Sequence, residues 1–404
     1  MLKTELFVAR RFLFSGHKRF VSLLSLFSIL GILLSVATFI VVMGVMSGAQ
    51  HELKRRILGI TPHVIVSRFF DEPVEGYEDL TDFLRQQPEV AAAAPFVYTK
   101  VMVSREYLTD GAVLKGVPAD GGVKGPELRN LVAMGTFDLS PGHVLVGSVL
   151  ASRLRVMPGD TLQILSPLAT EPTPLGTVVR TRNFVVAGVF DAGMYDYNAT
   201  LIFANLQDVA GLLGWNHKAS GIEVDLRDPY RARKVARRLE NTLGYPFRAV
   251  SWMDLNKSLF AALALEKLAM FVILALMVLV ASFSIVATLT IMVSQKTREI
   301  GILRSLGMSE HNILRVFLYT GLLIGVTGTL LGLALGMGIA FFVEHSPWFR
   351  LPPDVYFVDH LPVMLKARDV VLVTVVAWLT VLLTSLFPAR RASRLDPVEA
   401  IRYE

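Results

Sequence analysis

Residues 268–309 read LAMFVILALMVLVASFSIVATLTIMVSQKTREIGILRSLGMS, and the break within that stretch decides the architecture. Leu268 to Ser294 carries no charge, whereas the next fifteen residues hold Lys296, Arg298, Glu299 and Arg304 together with Gly301 and Gly307. A helix needs roughly 20 apolar residues to cross about 30 Å of hydrocarbon, so the first part reads as a membrane span and the second as its water-facing exit. Working outward, charge-free windows of the same kind recur at Phe20–Met46, Val316–Val343 and Val370–Phe387. The composition agrees, since 404 residues at 53% hydrophobic exceed what a soluble core requires, and the mean hydropathy is +0.51. Lys18 and Arg19 precede the first window as they would a secretory signal, but the run is too long and no A-x-A-like site follows, so it reads as an uncleaved anchor.

The expected order along the chain is a cytoplasmic amphipathic segment at 1–19, spans at 20–46, 267–294, 315–343 and 370–387, an exported domain at 47–266, a cytoplasmic segment at 295–314, a periplasmic loop at 344–369 and a cytoplasmic tail at 388–404. Lys3, Arg10, Arg11, Lys18 and Arg19 before the first span share one side with Lys296, Arg298, Arg304 and Arg315, and with Arg390, Arg391, Arg394 and Arg402. The positive-inside rule makes that side cytoplasmic and places both termini there. Lys54, Arg55 and Arg56 oppose it but open a long exported segment, where the rule is weak. A net charge of +6 then reflects topology and anionic lipid rather than nucleic acid. The chain has no cysteine, so the exported segment is built without disulfides.

That segment reads as mixed α and β. Strand-like runs lie at His63–Val66, Phe96–Val103, Ala112–Gly116, Thr161–Leu165, Phe184–Phe190, Thr200–Phe203 and Gly221–Leu226, and helical periods at Tyr77–Gln86, Leu206–Leu213 and Pro229–Leu243. Pairing of its two ends would give one α+β lobe, with the Gly- and Pro-rich middle, about 120–217, inserted as a second. The expected fold is therefore an α-helical membrane protein with four transmembrane helices and a large α+β domain of two lobes.

The windows contain no ionisable residue, which argues against a proton or ion relay. Gly325, Gly328, Gly332, Gly336 and Gly338 are spaced for close helix packing. No G-x-x-x-x-G-K-[ST] loop, G-x-S-x-G elbow or complete H-E-x-x-H motif occurs; Arg55 stands where the second histidine would be. The eight histidines are scattered and read as surface or interface residues. In the exit segment, Ile300, Leu303 and Leu306 recur at three-residue intervals, with Arg298, Glu299 and Arg304 polar and Gly307 placed to end the helix.

Gln295 to Met308, with Arg298-Glu299-Ile300-Gly301 at its centre, resembles the coupling segment of the FtsX-like and MacB-like ABC transporter permeases, and the tail PARRASRLDPVEAIRYE, Pro388 to Glu404, resembles their C-terminal signature. One span, a large exported domain and three further spans is also that family's order. Within it, the opening ARRFL, the first span and Gly59-Ile60-Thr61-Pro62 are most similar to the lipoprotein-releasing LolC/LolE-type permeases. The resemblance implies a MacB-like periplasmic domain and a bacterial inner-membrane location. It also implies a second permease, sibling or copy, and a LolD-type ATPase dimer that binds ATP and Mg, so that this chain is no enzyme and needs no cofactor of its own. Acylated lipoproteins would enter from the outer leaflet into an apolar cavity between the first span of one permease and the second span of the other. Phe39, Met43, Met46, Met270, Phe271, Leu274 and Met277 are its expected lining, and membrane lipid and a LolA-type carrier the further partners. The run SPLATEPTPLGTVVRTR, Ser166 to Arg182, reads as an exposed loop between two strands. Its Thr173-Pro174-Leu175-Gly176 resembles the family's carrier hook, with Pro167 and Pro172 stiffening it and Arg180 and Arg182 at its base. Relatives of the same class include MacB-like efflux components and FtsX-like signal-transmitting permeases, the alternative function.

Overall fold

The computed structural model describes residues 2–14, 19–173, 176–346 and 361–396. They form two compact units, one of residues 2–14, 19–50, 263–346 and 361–396, the other of residues 51–173 and 176–262.

Four helices, lying mainly in the first unit, are long and apolar enough to cross a membrane: Ser25–Ile60 within the helix Arg19–Ile60, then Lys257–Gln295, Glu310–His345 and Ala367–Ser393. Each outruns its charge-free window, because a helix continues through charged residues where its backbone bonds stay internal. Pro388 therefore lies inside the last helix rather than opening a separate tail, and residues 361–366 lead directly into that helix.

Packing is set by small residues. A Cβ at Gly328, Gly332 or Gly336 would come within about 3 Å of Ile32, Leu33, Val36, Ala37 or Ile40 on the first long helix. One at Gly325 would meet Val381 at 2.5 Å, and Gly321, absent from the sequence reading, faces Ser385. Gly338 has nothing within 4 Å and does not belong to this contact. Lipid tails are as apolar as leucine, so helices associate where backbones can approach closely, and one glycine stripe admits two neighbours here. The second long helix is held differently. Ser28 Oγ lies 2.6 Å from Thr288 Oγ1 and 3.2 Å from Ser284 Oγ, a hydroxyl cluster between the first and second helices. At the other end of the first helix, the Met364 amide donates to the Gly44 carbonyl at 2.9 Å, and Gly48 leaves room for the Pro362 backbone.

The second unit contains a ten-stranded sheet and a two-stranded one, Val74–Glu75 with Lys218–Ala219. Val90–Arg105 is shared between two regions. Its first half pairs with Gly221–Leu226, which continues to Val64–Arg68 and Phe247–Ser251, all antiparallel. Its second half pairs with both Leu108–Val117 and Thr161–Thr173. From there the pairings run through Leu201–Asn205, His143–Gly147 and Gly176–Phe190 back to Thr161–Thr173, closing a ring of six strands. Ring closure removes sheet edges. The ring encloses Val97, Val103, Leu114, Val146, Ile164 and Phe184, so the core expected for residues 120–217 begins before residue 100.

The helices Tyr77–Arg85 and Ala232–Leu243 cover the other region, the latter burying Ala232, Val235, Ala236 and Leu239 at i, i+3, i+4 and i+7. Buried charges join the regions: Lys115 Nζ reaches Glu223 at 2.7 Å and Lys124 Nζ reaches Asp225 at 2.6 Å. His63 is buried rather than at the surface, its Nδ1 accepting the Leu226 amide at 2.8 Å, and burial holds the imidazole below its ordinary pKa.

Gly332→Leu is expected to destabilise the helical unit by about 1–3 kcal/mol through overpacking, whereas Gly338→Leu is expected to be neutral. Thermal unfolding of the detergent-solubilised chain measures both; equal midpoints for the two variants would refute the stripe.

Candidate functional site

The segment after the second long helix forms a short helix, Thr297–Ser305. It ends in a Schellman motif: the Met308 amide donates to the Leu303 carbonyl at 3.1 Å and the Gly307 amide to the Arg304 carbonyl at 3.0 Å, with Gly307 at φ 95°. Only glycine reaches that φ without cost.

The faces of this helix differ from the expected ones. Ile300 is fully buried in the core of the helical unit and Gly301 is buried, with Leu303 half-buried beside the same core. Leu306 is 80% exposed. Six residues turn a helix through about 600°, which puts Leu306 some 120° away from Ile300. The outward face instead combines Arg298, Glu299, Ile302, Ser305 and Leu306, with Ile302 and Leu306 as i, i+4 neighbours.

Arg304 faces inward. Its Nη1 donates to the carbonyls of Leu395 at 2.5 Å and Ser393 at 3.3 Å, and its Nη2 meets Glu310 at 3.0 Å. It thereby satisfies the final carbonyl of Ala367–Ser393 and one just past it, where a cation also complements the helix dipole. Lys296, buried, pairs with Glu299 at 2.5 Å and lies 5.5 Å from the ring centroid of Phe12 on the N-terminal helix Leu2–Phe14. That helix buries Glu5, Ala9, Phe12 and Leu13, with Phe12 against Phe317 and Glu5 3.6 Å from Arg315.

Of the seven residues expected to line an apolar cavity, Phe39, Leu274 and Met277 meet in one pocket of the helical unit. Met43 packs beside its core, and Met46 and Met270 are half-buried outside it. Phe271 is 67% exposed although it lies within about 20° of Val278 around the helix, so it sits on the pocket-facing stripe about one turn beyond Leu274 and outside the pocket. The pocket takes its remaining wall from Val373, Ala377 and Val381 on the last helix, none of which the sequence singled out.

On both sides of Pro174 and Leu175, the run from Ser166 to Arg182 is strand rather than loop. The flanking strands continue as Thr161–Thr173 and Gly176–Phe190, paired up to Thr173 with Gly176. Register shifts between Leu165 and Thr170, where Pro167 has no amide to give the ladder. Pro174 and Leu175 lie outside the described residues, as do the side chains of Pro172 and Thr173. The two arginines at the base are engaged: Arg182 pairs with the buried Asp208 at 2.6 Å, and Arg180 donates to the Gly211 carbonyl at 3.3 Å. Asp208 also accepts the Gly142 amide at 2.6 Å. Among the described residues no cluster of three His, Asp or Glu is arranged to hold a metal.

Residues 25–242 match the family model described as MacB-like periplasmic core domain, and residues 271–397 that described as FtsX-like permease C-terminal, which defines a permease of that class. The chain is 33% identical over 95% of its length, and 95% of the relative's, to "Lipoprotein-releasing system transmembrane protein LolC" of Xylella fastidiosa strain 9a5c. It is 30% identical to LolC of Neisseria meningitidis serogroup B over all of both chains, and 30% identical to LolE of Haemophilus influenzae over 99% of both. The chain belongs to this LolC/LolE family of lipoprotein-releasing system transmembrane proteins.

Arg304→Ala strips the Ser393 and Leu395 carbonyls of a charged donor and is expected to cost about 1–3 kcal/mol in stability, whereas Leu306→Ala should stay within about 0.5 kcal/mol. Calorimetric midpoints of the two variants distinguish them; a silent Arg304→Ala would remove the inward role.

Proposed function

We propose that this chain is a membrane-spanning permease subunit that extracts acylated lipoproteins from the outer leaflet of a bacterial inner membrane and passes them to a periplasmic carrier. The near full-length match to relatives named for lipoprotein release carries the reading. In it the four apolar helices cross the membrane with both termini cytoplasmic, and the β-rich domain, working as two lobes, lies in the periplasm. A second permease, sibling or copy, completes the unit. ATP is bound with Mg and hydrolysed in a LolD-type ATPase dimer, so this chain transmits motion without catalysing a reaction. The outward face of Thr297–Ser305, with Arg298, Glu299, Ile302 and Leu306, is the ATPase contact, and Ile300, Gly301, Leu303, Arg304 and Gly307 hold it in shape. The outer halves of the first two long helices receive the acyl chains, since a site free of charge and rich in Met and Phe adapts to hydrocarbon. The end of the hairpin, Thr170–Val179, engages a LolA-type carrier.

Proteoliposomes holding the assembled complex and a triacylated lipoprotein are expected to release it to soluble carrier only with hydrolysable ATP. Release independent of ATP, or none with all partners present, would overturn the function. Ile302→Asp or Leu306→Asp should weaken ATPase association roughly thirtyfold, about 2 kcal/mol, without lowering chain abundance.

Replacing Thr170–Val179 by a Gly-Ser turn, keeping the Arg182–Asp208 pair, should leave basal ATP hydrolysis unchanged and abolish carrier capture. Equal carrier recovery in a pull-down would exclude the hairpin as the hook.

A further inference from the structure

The pocket that gathers Phe39, Leu274 and Met277 lies within a single chain, and its third wall is the last long helix. We propose that it binds one hydrocarbon acyl chain between the helices Arg19–Ile60, Lys257–Gln295 and Ala367–Ser393, without any contribution from a second permease. The inference rests on the membrane placement proposed above but not on lipoprotein release.

The chemistry of the lining selects the ligand. Only two polar side chains face the space, Ser35 and Thr380, and each is closed onto its own helix: Ser35 Oγ donates to the Gly31 carbonyl and Thr380 Oγ1 to the Val376 carbonyl, both at 2.8 Å. No hydroxyl proton remains for a guest, so a ligand's acceptor groups would surrender their hydration without replacement and only two hydroxyl oxygens are left to receive a donor. A methylene chain loses nothing by entering. Room comes from Ala281 and Ala377, small residues on the second and last helices where larger ones would close the gap.

The pocket also has a floor. On the inner side, the Ser28–Ser284–Thr288 hydroxyl cluster draws the first and second helices together, and Ile32 and Ile285 seal the space directly above it. Toward the opposite end of the same helix pair, about 12 Å beyond Leu274 along the second helix, Gln50 Nε2 donates to Glu266 Oε2 at 3.5 Å. Leu274 and Ile285 bound the pocket along the second helix, eleven residues or roughly 16 Å apart at 1.5 Å per residue. That is about half of a 30 Å hydrocarbon core, the depth one leaflet's chain occupies. The same acyl chemistry comes from a phospholipid or from a lipoprotein, and the two sources are separable.

The full chain in phosphatidylethanolamine–phosphatidylglycerol vesicles is irradiated with a phospholipid carrying a diazirine at one acyl terminus, or in a second arm with a triacylated lipopeptide carrying the same group. Labelled residues are mapped by mass spectrometry. Label is expected on Ala281, Ile285 or Val381 in at least one arm, and that arm identifies the source. Combining Ala281→Phe with Ala377→Phe should reduce label on Ile285 and Val381 about tenfold and leave label on the outward Leu276 and Leu279 unchanged. Should the doubly filled chain fail to fold, Met277→Ala enlarges the pocket and should raise floor labelling. Absence of floor label in both arms, or floor label indifferent to filling or enlargement, overturns the proposal. Failure of lipoprotein release with floor label intact would remove the transport function and leave the pocket standing.

Discussion

The contact on which the helical unit depends is the close passage of Glu310–His345 against Arg19–Ile60 at Gly328, Gly332 and Gly336. Once the hydrophobic effect is absent as a drive between helices, what remains is dispersion at short range, and that requires residues without side chains. Gly321 and Gly325 extend the same logic to Ala367–Ser393, so three helices share one tightly packed axis. Lys257–Gln295 stands apart from this scheme. Hydroxyls fasten it at one end, and Leu268, Phe271, Leu276, Leu279 and Phe283 remain exposed along its length. The pocket lies between this helix, the first long helix and the last, next to its hydroxyl contact at Ser284 and Thr288.

The short helix Thr297–Ser305 inherits this rigidity. Arg304 fastens it to the end of Ala367–Ser393, buried Lys296 to the N-terminal helix through Phe12, and Ile300 to the common core. Force applied to its outward face meets a body with three attachments rather than a hinge. The polar residues that look like contact groups in the sequence are divided between two tasks, with Arg298 outward and Arg304 structural.

How much of this was legible follows from which signals are local. Gly221–Leu226 and Leu206–Leu213 match their sequence-read limits because glycine and polar residues bound short apolar runs there. The charge-free windows located all four long helices but undershot their ends, since apolarity tracks solvent and not backbone bonding. Prolines made Ser166–Arg182 read as a loop, although pairing across the hairpin tolerates Pro167 at a register shift. Phe247–Ser251 escaped notice because Arg248 interrupts its apolar pattern and its partner, Val64–Arg68, is remote in sequence. In the site, spacing by three obscured the true face of Leu306, and an apolar run alone did not show that the pocket ends at Leu274, short of Phe271. Ser28, Ser284 and Thr288 had one available signal, hydroxyls recurring within windows that exclude every charge, and it gains meaning only when the two helices are brought side by side.

The two regions of the β-rich unit also differ in when they become possible during synthesis. Every strand of the six-membered ring is contained between Val90 and Asn205. Val64–Arg68, by contrast, waits for Gly221–Leu226 and Phe247–Ser251, which emerge more than 150 residues later. Loop closure over that distance is slow, and an early strand left unpaired is a template for wrong partners. A ring already closed brings the two ends of this long connection near each other and shortens the remaining search. The buried Lys115–Glu223 and Lys124–Asp225 pairs then act as a check on the final step, because a strand docked out of register would strand two lysines among apolar neighbours. The order of emergence and the placement of buried charge thus favour a single assembly sequence, ring first and flanking strands last.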